Sequence, residues 1–389
     1  MFARMSPLSN RGVRLVFHRA VLLLMLNLCR PTLQILKYEA SDSATVFQKI
    51  IMDSHNGDLF VAGRNTLYMF DKDLVIVDFV ETGPVQDRAD CDPALLCPDL
   101  SPTDNDARVL QVDPKSGHLL FCGSVKQGLC TMYSLRDLTE RQLFSSQNRV
   151  NYIGGKKDVV AFFGKWGGQD FSALYVGIPY DGRPMELAPK AIAALKLQQM
   201  NRAFNLTYVV EDAKLGVRTA IDIDREYKSS YIVNYIYGFQ HNGFTYFVTV
   251  QRENVNPGSD YITKLVRVCE NDMGFYSYTE VQLSCRKQNG VSVFFNIAQA
   301  AYFGSVGKEF KDKFDVDDME NVLFIVFGKS DQGSDHASER YGSGLCMYEM
   351  NDIQRTFTKT QKDCFSRRGR ILPWINSDAP QCMLNVSTG

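Results

Sequence analysis

The sequence predicts an all-β fold, a β-propeller built from similar strand-and-turn units. Three observations predict it. Short apolar or aromatic runs alternate with glycine turns along most of the chain. The units recur at a nearly constant interval, as repeat architectures do. Aromatic residues, mostly Phe and Tyr, make up 12% of the 389 residues, and such side chains favour strands.

The first thirty residues stand apart. Arg11, Arg14, His18 and Arg19 precede the apolar stretch Ala20 to Cys29, which Arg30 and Pro31 follow. A basic segment before about ten apolar residues has the layout of a secretory leader, whereas a spanning helix needs about twenty. No clear small-x-small cleavage site follows, so a buried helix opening a cytosolic domain stands as the alternative. Residues 1–37 are therefore expected to be a signal peptide and leader. No later stretch is long and apolar enough to cross a membrane as a helix. The sequons Asn205-Leu-Thr207 and Asn385-Val-Ser387 mark Asn205 and Asn385 as expected glycosylation sites in a secreted chain.

The repeating units come next. DLFVAGRNTLYMFD (58–71), HLLFCGSVKQGLCTMYSL (118–135), SALYVGIPYDG (172–182), YIYGFQHNGFTYFVTVQ (235–251) and VLFIVFGKS (322–330) share one pattern. Their first glycines, Gly63, Gly123, Gly177, Gly238 and Gly328, are spaced by 60, 54, 61 and 90. A unit near sixty residues holds several strands, which suits a propeller blade with long loops. The widest interval requires an insertion, expected to be partly helical, near 293–321. Counted from position 40, the chain has room for five to six blades.

Ten cysteines stand at 29, 91, 97, 122, 130, 269, 285, 346, 364 and 382, nine of them beyond the leader. In a cytosolic protein Cys122 and Cys130 would be thiols or metal ligands; in a secreted one they would form a small clasp. The odd number requires an explanation.

Function classes fall away in turn. The net charge of −1 gives no global basic field for nucleic acid. The five histidines are scattered, without a His-x-x-x-His pair, and there is no Cys-x-x-Cys. Gly328-Lys-Ser330 lacks the upstream glycine of a phosphate loop, since Leu323 stands there. The acidic residues Asp315, Asp317, Asp318 and Glu320 lack the glycine and distal glutamate of a calcium loop. No enzyme and no cofactor are expected.

Several segments together carry a family resemblance. CGSVKQGLC (122–130), YIYGFQHNGFTYFVTVQ (235–251), ITKLVRVCENDMGFYSYTEVQLSC (262–285) and VLFIVFGKSDQ (322–332) resemble the extracellular sema domain of plexins, the semaphorin receptors. LYVGIPYDG (174–182), FFNIAQAAYFG (294–304) and LPWINSDAPQC (372–382) are similar to it too, so the likeness runs from about residue 45 to 382. Within the plexins the A class is the most similar.

The resemblance implies a seven-bladed propeller over residues 38–389, C-terminally incomplete. It also implies the disulfides Cys91–Cys97, Cys122–Cys130, Cys285–Cys346 and Cys269–Cys382. Cys364 would lack its partner in this fragment, which accounts for the odd count. The implied partner is a semaphorin, with a co-receptor as a further one, in axon-guidance and cell-migration signalling. The membrane span of such a receptor is expected downstream. The site would lie on the extracellular side of the plasma membrane, or on a secreted product if the fragment is a genuine one. A secreted ligand or decoy is the alternative. The expected ligand-facing residues are Asp212, Lys214, Leu215 and Arg218, with Arg367, Arg368 and Arg370 added from a loop close to the last cysteines.

Overall fold

The computed structural model describes residues 37–38, 46–113, 115–168, 172–200, 203–286, 294–314, 321–366 and 372–376. The chain divides into two compact units at Ser41 and Asp42, and the second holds every strand described below. The leader expected over 1–37 lies outside the described residues except for Lys37.

Apolar alternation generates a series of antiparallel meanders. The first blade runs β1 (Phe47–Met52), β2 (Leu59–Gly63), β3 (Thr66–Phe70) and β4 (Ile76–Glu81) in chain order. A short ladder, β5 (Val85–Asp87) and β6 (Ser101–Thr103), leads to the second blade. That blade comprises β7 (Ala107–Asp113), β8 (His118–Gly123), β9 (Cys130–Ser134) and β10 (Arg141–Leu143). The third comprises β11 (Val160–Lys165), β12 (Ser172–Gly177), β13 (Ile192–Met200) and β14 (Ala203–Tyr208). A small hairpin, β15 (Glu211–Asp212) and β16 (Val217–Arg218), precedes β17 (Ala220–Ile223), which returns to β13.

The fourth blade comprises β18 (Val233–His241), β19 (Phe244–Arg252), β20 (Tyr261–Cys269) and β21 (Thr279–Gln282). After the pair β22 (Cys285–Arg286) and β23 (Phe294–Phe295), the fifth sheet holds β24 (Ile297–Gly304), β25 (Val322–Gly328) and β26 (Ser343–Glu349). Helix α1 (Lys308–Phe314) lies between β24 and β25, and helix α2 (Met350–Phe365) follows β26. Finally β27 (Ile375–Asn376) pairs with β17.

The first strand of each blade packs against the first strand of the next: β1 on β7, β7 on β11, β11 on β18, β18 on β24. This is the radial order of a β-propeller, and five blades stand among the described residues. Four apolar cores fill the seams between successive blades. Strand β12 shows how: Leu174 and Val176 enter the core shared with the second blade, while Ala173 and Tyr175 enter that shared with the fourth. A strand with successive side chains on opposite faces must be apolar throughout when both faces are covered. The runs in β12 and β25 have that character.

The interval expected as an insertion near 293–321 is narrower. Phe294–Phe295 and Ile297–Gly304 form strands, β24 being the inner strand of its blade, and among the described residues of the interval only Lys308–Phe314 is helical. The largely apolar run Ile297–Gly304 pairs as a strand despite the charge that follows it. Helix α2 is an addition. It buries Met350, Ile353 and Phe357, spaced along one helical face, against the core of the fourth and fifth blades.

Cys91–Cys97, Cys122–Cys130 and Cys285–Cys346 are disulfides, three of the pairings the resemblance implies. Two calls need correction. Cys269, assigned to Cys382, carries a free thiol. It ends β20 half-buried, its amide bonded to the Ser277 hydroxyl, and burial pushes the thiol pKa up. Cys364, expected to lack a partner, is disulfide-bonded from the last turn of α2. Cys382 lies outside the described residues.

The Cys122–Cys130 clasp joins directly opposed residues of β8 and β9, Cα to Cα 4.1 Å. It closes a turn in which Lys126, Gln127 and Gly128 all have positive φ. A Cβ on Gly128 would lie 2.1 Å from the Gly154 carbonyl carbon, so only glycine fits there. Replacing both cysteines by serine is expected to cost about 2–3 kcal/mol, from the loop entropy released. Urea midpoints of the parent and double variant check this; equal midpoints would contradict it.

Candidate functional site

The hairpin β15–β16 leaves the third blade between β14 and β17, both of which pair with β13. It is therefore an excursion from a continuous sheet, anchored at both ends. Thr219, fully buried, holds its base by donating to the Ala194 carbonyl at 2.9 Å. Asp212 shapes the tip: its carboxylate accepts from the amides of Lys214 at 2.9 Å and Leu215 at 3.1 Å. Gly216, at φ 65°, completes the turn.

The four hairpin residues expected to face a ligand thus separate by role. Asp212 is a turn former. Arg218 bonds Glu211 at 2.9 Å and lies 5.1 Å over the Tyr208 ring, so its guanidinium is positioned by two neighbours. Burial pushes the Tyr208 hydroxyl up to about 12, with the charge of Arg218 opposing it. Lys214 and Leu215 are the exposed tip, and Leu215 keeps 74% of its surface in water. Together they make a small apolar contact beside a positive charge. Arg367, Arg368 and Arg370 lie outside the described residues, as does Asn385.

Strand β14 carries the other sequon. Asn205 is half-buried, and its Oδ1 accepts from Asn151 Nδ2 at 2.9 Å. That bond orients the amide and leaves its own nitrogen as the attachment atom. Asn205→Gln is expected to remove one glycan from protein secreted by animal cells. Mass spectrometry reads this, and an unchanged mass would show an unused site.

Two features escaped sequence reasoning. Asp181 and Arg183, both almost fully buried, form an ion pair at 2.7 Å in the connection after β12. A buried loop arginine has no periodic signature. The second is the packing of residues 372–376 against β17, described below. Among the described residues no group of three or more His, Cys, Asp and Glu could hold a metal, and no helix is long and apolar enough to cross a membrane.

No family model matches the chain. Human plexin-A4 is 29% identical over 350 residues, covering 86% of this chain, and zebrafish plexin A3 is 29% identical over 350 residues, covering 83%. The chain spans 18% of the length of each. Among solved structures, the plexin A4 full extracellular region is similar with a TM-score of 0.74 and 27% identity, over 89% of this chain and 39% of that one. Drosophila semaphorin 1a shares the fold, with a TM-score of 0.52 at 15% identity, over 83% of this chain and 55% of that one. Over most of its length this chain is thus a homologue of the class A plexins, with the β-propeller fold of their extracellular sema region.

Proposed function

We propose that the chain is the ligand-recognition region of a plexin-type cell-surface receptor, acting outside the cell and binding a semaphorin through the β15–β16 hairpin. The similarity to class A plexin extracellular regions carries this reading. A Drosophila plexin A of the same fold was solved in complex with semaphorin 1b, which supports the choice of partner. On this reading residues 1–37 are a leader removed on export, residues 38–389 are the sema region, and the contact serves axon guidance and cell migration. A co-receptor is a further expected partner.

The hairpin suits the task physically. A rim charge steers encounter and an apolar tip slows release. Lys214→Glu is therefore expected to lower the association rate and flatten its salt dependence. Leu215→Asp is expected to raise the dissociation rate, by roughly tenfold. Surface plasmon resonance of the secreted chain over immobilised semaphorin ectodomains reads both. Unchanged rates in both variants would remove the hairpin from the interface, and no binding by the parent to any semaphorin would remove the function.

A further inference from the structure

Residues 372–376 return to the third blade from beyond α2 and extend its sheet. Strand β27 pairs with the end of β17, Asn376 opposite Asp222 and Ile375 opposite Ile223. The Asp224 amide donates to the Trp374 carbonyl at 2.8 Å. Trp374, 3% exposed, stacks on Tyr231 with ring centroids 5.0 Å apart and meets Tyr278 edge-on at 5.8 Å. Trp374 and Ile375 belong to the core between the third and fourth blades, and Leu372 packs against it.

What they hold is the base of the hairpin. Thr219 alone separates Arg218, the end of β16, from β17. Strand β17 pairs with β13 at Ala220 and Ile221 and with β27 at Asp222 and Ile223, so each partner holds half of it. Asp222 adds two ion pairs, accepting from Lys190 at 2.7 Å and Lys228 at 2.8 Å. On the other leg, Val209 and Val210 lead into β15 and pack on the same core as Trp374. The Thr219 amide donates to the Val210 carbonyl at 3.0 Å and ties the two legs together. Both legs therefore rest on a core that Trp374 completes.

A recognition loop already held in its bound shape loses little conformational freedom on docking. Loosening its base lowers the fraction of molecules able to bind. We infer that Trp374 is a positioning residue for the recognition hairpin, acting through β17. Only the binding half of the test rests on the semaphorin reading.

Hydrogen–deuterium exchange of the full secreted chain without ligand comes first. Trp374→Ala is expected to speed exchange in residues 211–223 roughly tenfold or more, as local opening becomes easier. Trp374→Phe, which keeps a ring to stack, is expected to restore the parent rates. Phe247→Ala removes a ring from the same core, on a strand that pairs with neither β17 nor β27. It should lower overall stability and leave exchange in residues 211–223 unchanged. Trp374→Leu keeps apolar bulk without the ring and carries the same test if the alanine variant is not secreted.

Over immobilised semaphorin ectodomains, Trp374→Ala should lower the association rate about threefold or more. Its salt dependence and dissociation rate should stay those of the parent, unlike Lys214→Glu and Leu215→Asp respectively. Parent exchange rates in residues 211–223 of the alanine or leucine variant would overturn the proposal. So would an equal gain of exchange in Phe247→Ala, or parent association rates in Trp374→Ala. A parent chain that binds no semaphorin would remove the semaphorin reading, and the exchange result would still decide the positioning role.

Discussion

Replacing Arg183 by alanine is expected to destabilise the chain by about 3–5 kcal/mol, the cost of leaving a buried ion without its partner. The guanidinium is 3% exposed. It bonds Asp181 through Nε at 2.9 Å and Nη2 at 2.7 Å, the Gln127 carbonyl at 2.7 Å and the Gly154 carbonyl at 2.6 Å. One side chain thus ties the clasp of the second blade, the strand connection at 152–155 and the loop after β12. Alanine would strand the Asp181 carboxylate and two carbonyls at once.

The pH dependence has a definite sign. Burial pushes the Asp181 pKa up, but the hydrogen bonds and charge of Arg183, with the Lys156 amide, outweigh it and hold the carboxyl below its ordinary value. A lowered carboxyl pKa contributes stability that is present at neutral pH and is lost as pH falls through the lowered value. In Arg183→Ala only the backbone amides of residues 156 and 183 still oppose burial, and protonation becomes a relief. The gap between parent and variant should narrow on acidification. Urea midpoints at neutral pH and in acid measure it; a gap independent of pH would contradict the ion-pair account.

Phe247→Ala is expected to cost about 3–5 kcal/mol by a different route, the cavity left when a large core side chain is removed. Phe247 is fully buried in the middle of β19. Its ring lies 5.7 Å from Phe162 and 5.9 Å from Tyr235, bridging the seam between the third and fourth blades. Both neighbours are fixed by their own strands, so the site cannot collapse cheaply. Phe79, 58% exposed on the first blade, is the control, and its alanine variant should cost less than about 1 kcal/mol. Equal losses at the two positions would contradict the seam account.

Much of this architecture was legible because strands covered on both faces read as unbroken apolar runs. DLFVAG, HLLFCG and SALYVG each announce the second strand of a blade followed by a turn. The Cys122–Cys130 pairing has a similarly local basis, two opposed residues on adjoining strands. Helix α2 was legible only in retrospect: Met350, Ile353 and Phe357 have helical spacing, but polar residues dilute them. The free thiol of Cys269 and the bonded state of Cys364 have no such local basis in the sequence. At the candidate site, the hairpin residues carry no motif, and Asp212 serves the turn because two amides converge on it. Arg183 reads in sequence as an ordinary loop charge. Only the convergence of two distant carbonyls and Asp181 reveals its weight.

Hydrogen–deuterium exchange of the secreted chain, with and without a bound semaphorin ectodomain, tests the central claim most directly. Recognition through the hairpin predicts slowed exchange concentrated in Tyr208–Arg218, with the fourth- and fifth-blade strands unchanged. Protection confined to other blades, with residues 208–218 exchanging as in the free chain, would contradict it.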